Sequence, residues 1–321
     1  MMHPIPSTMK APADKRAGWL VLQVMVTRAC TESCFHCSQG SNLAGKPAMM
    51  PVDEFEAAIK SLDGFPGTIG LFGGQPTLHP RFPELCEIMR AHVPYLDRGI
   101  WTNALNGHGK LCAITFNPHR SNINVHLNKD NFAEFERDWP EAIEARRGHT
   151  TDGRDRDSVH SSPWVAIKDV IPDEAERWKM IGNCSVNQFW SAIIGHVPGR
   201  GLRAYFCEIA YAQAAMHATA EDADEWPDTG IFPFPGWWKQ GMPAFEAQVR
   251  LHCPSCGIPM NRAGQKAIGG EAEEFSVTHR HIARPKVGDR PVRFVHAESL
   301  MRAERPATNY LPGVTPGYKG D

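Results

Sequence analysis

Apolar and polar positions follow two alternating periods over residues 18–180. Residues 19–26 are a short apolar run with β-branched members, which predicts a strand. Residues 51–62 then place Phe55, Ile59 and Leu62 on one helical face, with Asp53 near the start. Residues 68–72 predict the next strand, Phe82, Leu85, Ile88 and Met89 mark a second amphipathic helix, and residues 99–102 read as strand again. Repeated βα units imply parallel strands with right-handed crossovers. That architecture gathers ligand sites at the C-terminal ends of the strands.

Further along, Ile123-Asn-Val-His-Leu-Asn128 alternates strictly, which predicts a strand. Asn124, His126 and Asn128 share its polar face, turned into a lumen or, at an edge, toward solvent. Residues 164–169 alternate similarly and set Lys168 opposite Val165 and Ile167, either to meet a carboxylate or phosphate or as a surface lysine. Residues 149–162, dense in Arg, Asp, Thr and Ser, predict a loop. Beyond residue 180 helical periodicity fades, Gly, Pro and Trp increase, and cysteines return. Four segments follow: an N-terminal stretch 1–17, an α/β unit 18–180, a Cys-rich unit 181–300 and a tail 301–321. The tail, rich in Pro, Gly and Thr, is expected to wrap the surface or stay disordered.

The chain has 321 residues, 42% of them hydrophobic and 22% charged, in the range of ordinary globular proteins. Its 34 Lys+Arg against 36 Asp+Glu give a net charge of −2, which supplies no bulk attraction to nucleic acid or anionic membrane. Residues 1–16 lack the apolar core of a signal peptide, and no run approaches a membrane span. Nine cysteines without export signals favour metal ligation over a disulfide framework and point to a reducing, cytoplasmic setting.

The densest chemistry is Cys30-Thr-Glu-Ser-Cys34-Phe-His-Cys37, just after the first strand. Three thiolates so close can bind three irons of a [4Fe–4S] cubane and leave the fourth open. A zinc site would want four ligands, with His36 as the fourth. A ferredoxin-type carrier would want a fourth local cysteine followed by Pro, which this loop lacks. The C-x3-C-x2-C spacing resembles the signature of the radical S-adenosylmethionine (AdoMet) enzymes. A second segment, Gly70-Leu-Phe-Gly-Gly-Gln-Pro-Thr-Leu-His-Pro80, is similar to that family's Gly-Gly-Glu-Pro-Thr-Leu segment at the end of the second barrel strand. Gln75 stands where the family usually has Glu. A weaker likeness, Gly99-Ile-Trp-Thr-Asn-Ala104, resembles the Thr-Asn-Gly end of the next strand.

The resemblance implies an α/β fold, an incomplete (β/α)6 TIM-like barrel, with the open iron holding the amino and carboxylate groups of AdoMet. It makes Gly73, Gly74, Gln75, Pro76, Thr102 and Asn103 candidate AdoMet contacts, and Asn124, His126, Asn128 and Lys168 candidates lining cofactor or substrate. It also implies reductive cleavage to a 5′-deoxyadenosyl radical, an electron donor such as flavodoxin or ferredoxin, and hydrogen abstraction from the substrate.

Cys184, Cys207, Cys253 and Cys256 form a second set, with Cys253-Pro-Ser-Cys256-Gly a tight knuckle and Cys184 and Cys207 flanking a turn near residues 197–203. The set resembles the twitch or SPASM extensions that hold an auxiliary iron–sulfur cluster; structural zinc on four thiolates is the competing reading. Cys86 and Cys112 read as small core residues. Trp190, Trp226, Trp237, Trp238, Phe232 and Phe234 read as the core of this unit in preference to a stacking wall. The chain lacks the N-terminal leader-binding segment often used by peptide-modifying relatives, which tilts the expected substrate toward a small polar molecule such as a sugar, aminoglycoside or nucleotide. The expected outcome is oxidation, epimerisation or rearrangement. The alternatives are a peptide or protein maturase, and a non-catalytic zinc or electron-transfer module.

Overall fold

The first apolar run forms β1 (Val21–Thr27), and everything else is placed relative to it. The computed structural model describes residues 3–15, 20–126, 128–147, 159–189 and 192–298; Trp19, Leu127, Trp190, most of the 149–162 loop and the 301–321 tail lie outside the described residues. The chain continues through α1 (Val52–Lys60), β2 (Thr68–Gly73), α2 (Phe82–His92), β3 (Arg98–Thr102), α3 (Gly109–Thr115) and β4 (Asn122–Ile123). These are the predicted βα units. Helix α1 carries Asp53 and Glu54 in its first turn and Lys60 in its last, which suits the helix dipole. Helix α2 does the same with Glu84, Arg90 and His92.

After β4 come α4 (Lys129–Asp138), α5 (Pro140–Arg147), β5 (Val159–His160), α6 (Ile167–Val170), α7 (Glu174–Gly182) and α8 (Ser185–Phe189). Strands β6 (Ala192–Val197) and β7 (Gly201–Tyr205) follow, then α9 (Glu208–His217), α10 (Glu246–His252), β8 (Gln265–Lys266), β9 (Glu273–Phe275) and β10 (Val292–Phe294). One six-stranded sheet runs in the order β4-β3-β2-β1-β6-β7. Strands β1 to β4 and β6 are parallel, and β7 returns antiparallel to β6. The fold is mixed α/β, in keeping with a partial TIM-like barrel.

Three expectations change. Strand β6 lies beside β1, so the sheet extends past the boundary expected at residue 180: the change in composition marks what packs on the sheet, not where it ends. The strand expected at 123–128 stops at Ile123. One further bond, from Asn124 N to Thr102 O (3.0 Å), prolongs its pairing. His126 then takes a left-handed turn (φ 47°), and Asn128 caps α4 by accepting from the N–H groups of Asp130 and Asn131. At 164–169 the alternating run instead enters α6. Its N–H groups at Ile167 and Lys168 donate to Cys256 O and Pro254 O, so the Cys253–Cys256 knuckle takes the bonds a neighbouring strand would have used.

The two faces of the sheet are told apart at β6. His196 meets Glu54 of α1 (2.8 Å), whereas a Cβ on the adjacent Gly195 would strike the Tyr211 ring of α9 at 2.2 Å. Successive strand residues face opposite sides, so α1 and α9 cover opposite faces. Register puts Gln23 beside Gly70 and Ile193, and Met25 beside Phe72 and Gly195, all on the inner, α9 side. All ten residues of α9 are buried, as befits a helix enclosed on every side. Trp226, Trp237 and Trp238 are core as expected, but Phe232 and Phe234 are exposed; Cys86 and Cys112 are fully buried. Among the described residues no helix is long and apolar enough to cross a membrane.

Gly195→Ala is expected to lower stability by about 1–3 kcal/mol, because the methyl group must displace the Tyr211 ring. Adding Tyr211→Leu should recover part of that loss in urea unfolding. An unchanged midpoint for the single variant would mean that α9 does not pack against this strand.

Candidate active site

The C-terminal end of β1 is stitched to that of β2 beyond the strands themselves. Gly74 N donates to Thr27 O (2.9 Å) and Gln75 N to Ala29 O (2.7 Å). A Cβ on Gly74 would lie 2.5 Å from Ala29 O and 2.8 Å from Arg28 O. Glycine is therefore needed for the two backbones to meet, and the close approach expected toward a ligand is made toward the start of the cysteine loop. Pro76 opens a short 3-10 turn behind it, and its ring is buried.

The loop displays Cys30, Cys34 and Cys37, all with free thiols. Burial, then the neighbouring Cys37, pushes the Cys30 thiol up to about 11, against the pull of the Glu32 N–H and Asn103. Burial raises Cys37 as well, opposed by the N–H groups of Gln39 and Ser41. Such sulfurs stay protonated alone and become thiolates when a metal displaces the proton, each with donors already in place. Asn103 Nδ2 donates to Cys30 Sγ at 3.5 Å, while Asn103 Oδ1 and Gln39 Oε1 are buried without a hydrogen-bond partner. Three thiols, the outer two with N–H support, and unfilled acceptors beside them fit an iron–sulfur cluster with a polar ligand. Among the described residues no three metal-ligating side chains converge on one point as the ligands of a single ion do. A cubane instead takes one thiolate per iron, over a wider spread.

Gln75 does not face this space. It is fully buried, and its Oε1 accepts from Asn103 N (2.9 Å) and Thr102 Oγ1 (3.0 Å). Its Nε2 donates to Thr102 Oγ1 (2.7 Å) and to Ala104 O. The amide is thus the tie between the ends of β2 and β3. Thr102 is part of the same knot, which leaves Asn103 as the member of the pair that reaches the cysteines.

A cap from the C-terminal region holds the loop from the other side. Glu273, fully buried, pairs with Arg290 (2.8 Å) and accepts from Asn42 Nδ2 (2.7 Å) and His36 N (3.2 Å). Arg290 also bonds Ser33 O and lies 3.9 Å over the Phe35 ring. Lys286 Nζ donates to Cys30 O (2.8 Å). His36 is occupied by this cap: its ring meets His160 O (3.1 Å) and Gln265 Nε2 (3.4 Å), so it is not a fourth metal ligand. Asn124 and His126 stand half-buried beyond β4, and Asn128 reaches Glu32 of the loop at 3.3 Å. Lys168, on α6, is exposed; its N–H donates to Pro254 O (3.0 Å), and its charge acts on His217 and His279 beside the second cysteine set. No pattern in the sequence announces the Glu273–Arg290 pair, because its members are far apart and meet the loop only through folding.

Cys184, Cys207, Cys253 and Cys256 line one cavity with Met9, Phe206 and Ile258. Burial, then the nearby Cys184, pushes Cys207 up to about 12, and burial likewise raises Cys253 and Cys256. N–H groups of Val186 and Asn187 serve Cys184, that of Ala210 serves Cys207 and that of Ile258 serves Cys256. A buried Lys15, drawn down to about 8 by desolvation, lies near Cys207 and Cys184. Strand β7 runs back toward the N-terminal edge of the sheet, so Cys207 starts α9 at the end opposite the Cys30 loop. Ten helical residues rise about 15 Å, and at the far end Met216 touches Arg28 and packs near Gly40.

A polar relay that no sequence motif announces lies against the knuckle: Asp222 Oδ1 to His217 Nδ1 (2.9 Å), His217 Nε2 to His279 Nδ1 (2.9 Å), His279 Nε2 to Ser255 O (2.6 Å). Both ends are acceptors, so three contacts need three protons where two neutral imidazoles bring two. Completing the relay takes one extra proton, against the burial that lowers both rings.

Two predictions follow from these contacts. Gln75→Glu should destabilise the fold by about 2–4 kcal/mol at neutral pH, since a buried carboxylate cannot donate to Ala104 O. Undiminished stability would show that this side chain faces the ligand. The second concerns pH. His79 donates to Met50 O and accepts from Arg81 N, while His252 is held between Gln213 Oε1 and Thr229 Oγ1. Burial lowers both, His252 to about 3. The unfolded chain takes up protons that the native rings refuse, so stability is full above the ordinary value of 6.5 and falls as pH drops toward the native values. Urea midpoints should fall below about pH 6.5, by about 2 kcal/mol at pH 5 for each ring still neutral. A flat profile would contradict it.

Residues 24–137 match the family model described as the Radical SAM superfamily. No curated protein matches the chain. Among solved structures, the one described as the crystal structure of BtrN in complex with AdoMet and 2-DOIA is 12% identical over 74% of this chain and 92% of that one, with a TM-score of 0.42; so distant a likeness carries no argument here. The family match begins within β1, runs into α4 and encloses the whole Cys30–Cys37 loop, so this stretch of the chain is similar to the radical SAM domain.

Proposed function

We propose that this protein is an enzyme of oxidoreductase type, acting on a small polar substrate of the sugar, aminoglycoside or nucleotide class held against the inner face of the sheet. The observation that carries the reading is the Cys30–Cys34–Cys37 loop, whose outer thiols have N–H support and lie beside the orphaned Asn103 Oδ1. A [4Fe–4S] cluster on these thiols supplies, when bound with AdoMet and reduced, the radical that removes a substrate hydrogen.

The protein's share is to position and to exclude. Asn103 braces the Cys30 sulfur and offers its carbonyl to a polar ligand. Phe72 and Trp101, half-buried on the inner face, offer apolar surface to a substrate. The cap of Glu273, Arg290 and Lys286 fixes the loop from outside and keeps water from its back.

The second cysteine set is read as the seat of a further iron–sulfur cluster, with structural zinc as the competing occupant. Its place at the other end of α9 supports net oxidation, with an acceptor available for the electron left on the substrate. The small-molecule reading is favoured over a peptide maturase because α9 narrows the inner face to a confined space.

Anaerobic reconstitution tests this directly. The wild type should hold about eight irons per chain and form 5′-deoxyadenosine from AdoMet, while Cys34→Ala should lose that product and retain about four irons. Unimpaired AdoMet cleavage by Cys34→Ala would defeat the assignment of the first site. About four irons in the wild type falling to none in the variant, with one zinc retained in both, would make the second site a structural staple.

A further inference from the structure

Strand β1 contains a register shift between Met25 and Thr27: Met25 pairs with Phe72, yet Thr27 pairs with Gly73. The extra residue is a β-bulge, and one inserted residue exchanges the faces of all that follow. Without it Arg28 would point with Val24 and Val26 to the outer helices. With it Arg28 turns to the inner face, where its Nη1 meets Met216 of α9. Its part-buried guanidinium adjoins Tyr211 and Cys37.

Among the described residues no carboxylate forms an ion pair with Arg28, and its Nε is shut off from solvent with no hydrogen-bond partner. The other buried guanidinium near the loop, Arg290, has Glu273 at 2.8 Å. Guanidinium stays charged under all ordinary conditions, and burying a charge without a partner costs several kcal/mol. Further along the same face, both polar atoms of Gln23 and the Nε1 of Trp101 are also buried without partners. A surface with an unmatched cation and spare donors is complementary to an anion carrying further polar groups.

We propose that the substrate bears a carboxylate or phosphate that Arg28 receives on the inner face, with Trp101 and Gln23 meeting its remaining polar groups. This inference rests on the radical SAM reading of the site and narrows its substrate to an anionic molecule. Arg28 acts as a fork, giving two parallel bonds to a planar or tetrahedral anion. The β-bulge is the local device that aims it.

The test uses the full-length, cluster-loaded protein saturated with AdoMet, so that the cofactor's own carboxylate is already bound. Inorganic phosphate and acetate are titrated calorimetrically under anaerobic conditions into wild type, Arg28→Met and Arg28→Lys. Loss of a charged hydrogen bond should weaken the preferred anion by about tenfold to a hundredfold in Arg28→Met. Arg28→Lys, which keeps the charge and guards against a merely structural effect, should lose less. Preference for phosphate or acetate identifies the anion class.

Equal affinity in wild type and Arg28→Met, or no anion binding by the wild type, would overturn the proposal. So would a parallel loss of AdoMet affinity, or a changed electron paramagnetic resonance spectrum of the reduced cluster in Arg28→Met, since either assigns Arg28 to the cofactor or the cluster. Whether the wild type forms 5′-deoxyadenosine is read separately. Its absence defeats the reading beneath, whereas its presence with an unaltered anion titration defeats the Arg28 inference alone.

Discussion

The side-chain amide of Gln75 is the knot on which the C-terminal end of the sheet depends. It ties β2 to β3 through Thr102, Asn103 N and Ala104 O. Its own backbone N–H ties β2 to Ala29 at the mouth of the cysteine loop. Three strand ends and the loop therefore share one residue. The knot needs a donor and an acceptor on one side chain, because Ala104 O can only accept and Asn103 N can only donate. An amide meets both demands while neutral, and a carboxylate meets one of them at the cost of a buried charge. Glutamine at this place is thus a local necessity of this chain's hydrogen bonding.

Helix α9 sets the second constraint. It packs so closely on β6 that Gly195 admits no side chain under Tyr211. One rigid element then begins among the second cysteines and ends beside the first loop. Any shift of α9 along its axis would be felt at both ends together. Gln213, in its middle turns, adds a bond to Ser255 O inside the Cys253–Cys256 knuckle. The histidine relay reaches the same carbonyl from His279, so the knuckle is held by two polar contacts from within a buried environment. Buried polar networks of this kind specify one arrangement when all their members are satisfied.

Much of this was legible in the sequence because it is local. The strand and helix periods of residues 19–102 needed no tertiary information, and the cysteine loop and Gly73–Gly74 fell where a parallel βα order would place a site. The failures share a cause. Residues 123–128 alternate like a strand, yet Asn128 is a better helix cap than a strand residue, and the cap decided the outcome. Residues 164–169 have two of their backbone N–H groups, those of Ile167 and Lys168, claimed by a knuckle some ninety positions later. His36 looked like a ligand by proximity in sequence, but a left-handed turn (φ 54°) sends it into the cap. The bulge in β1, the Glu273–Arg290 pair and the relay are non-local and leave no periodic trace.

The contrast between Arg290 and Arg28 shows how charge is used around the loop. Arg290 and Glu273 neutralise each other and spend their remaining bonds on Ser33 O, Asn42 and His36 N. A buried ion pair of this kind contributes little net stability, since desolvation offsets most of the attraction. What it does contribute is geometry. Each bond fixes a different point of the loop, so the three thiols are presented in one arrangement. Arg28 has the opposite character, a cation with no anion paired to it among the described residues, placed where the chain has turned it by one inserted residue. A group that completes its pairing inside the fold serves structure, whereas the proposed role of the incomplete one is to receive a ligand. The first holds the loop still while the second, in that proposal, meets an anionic substrate.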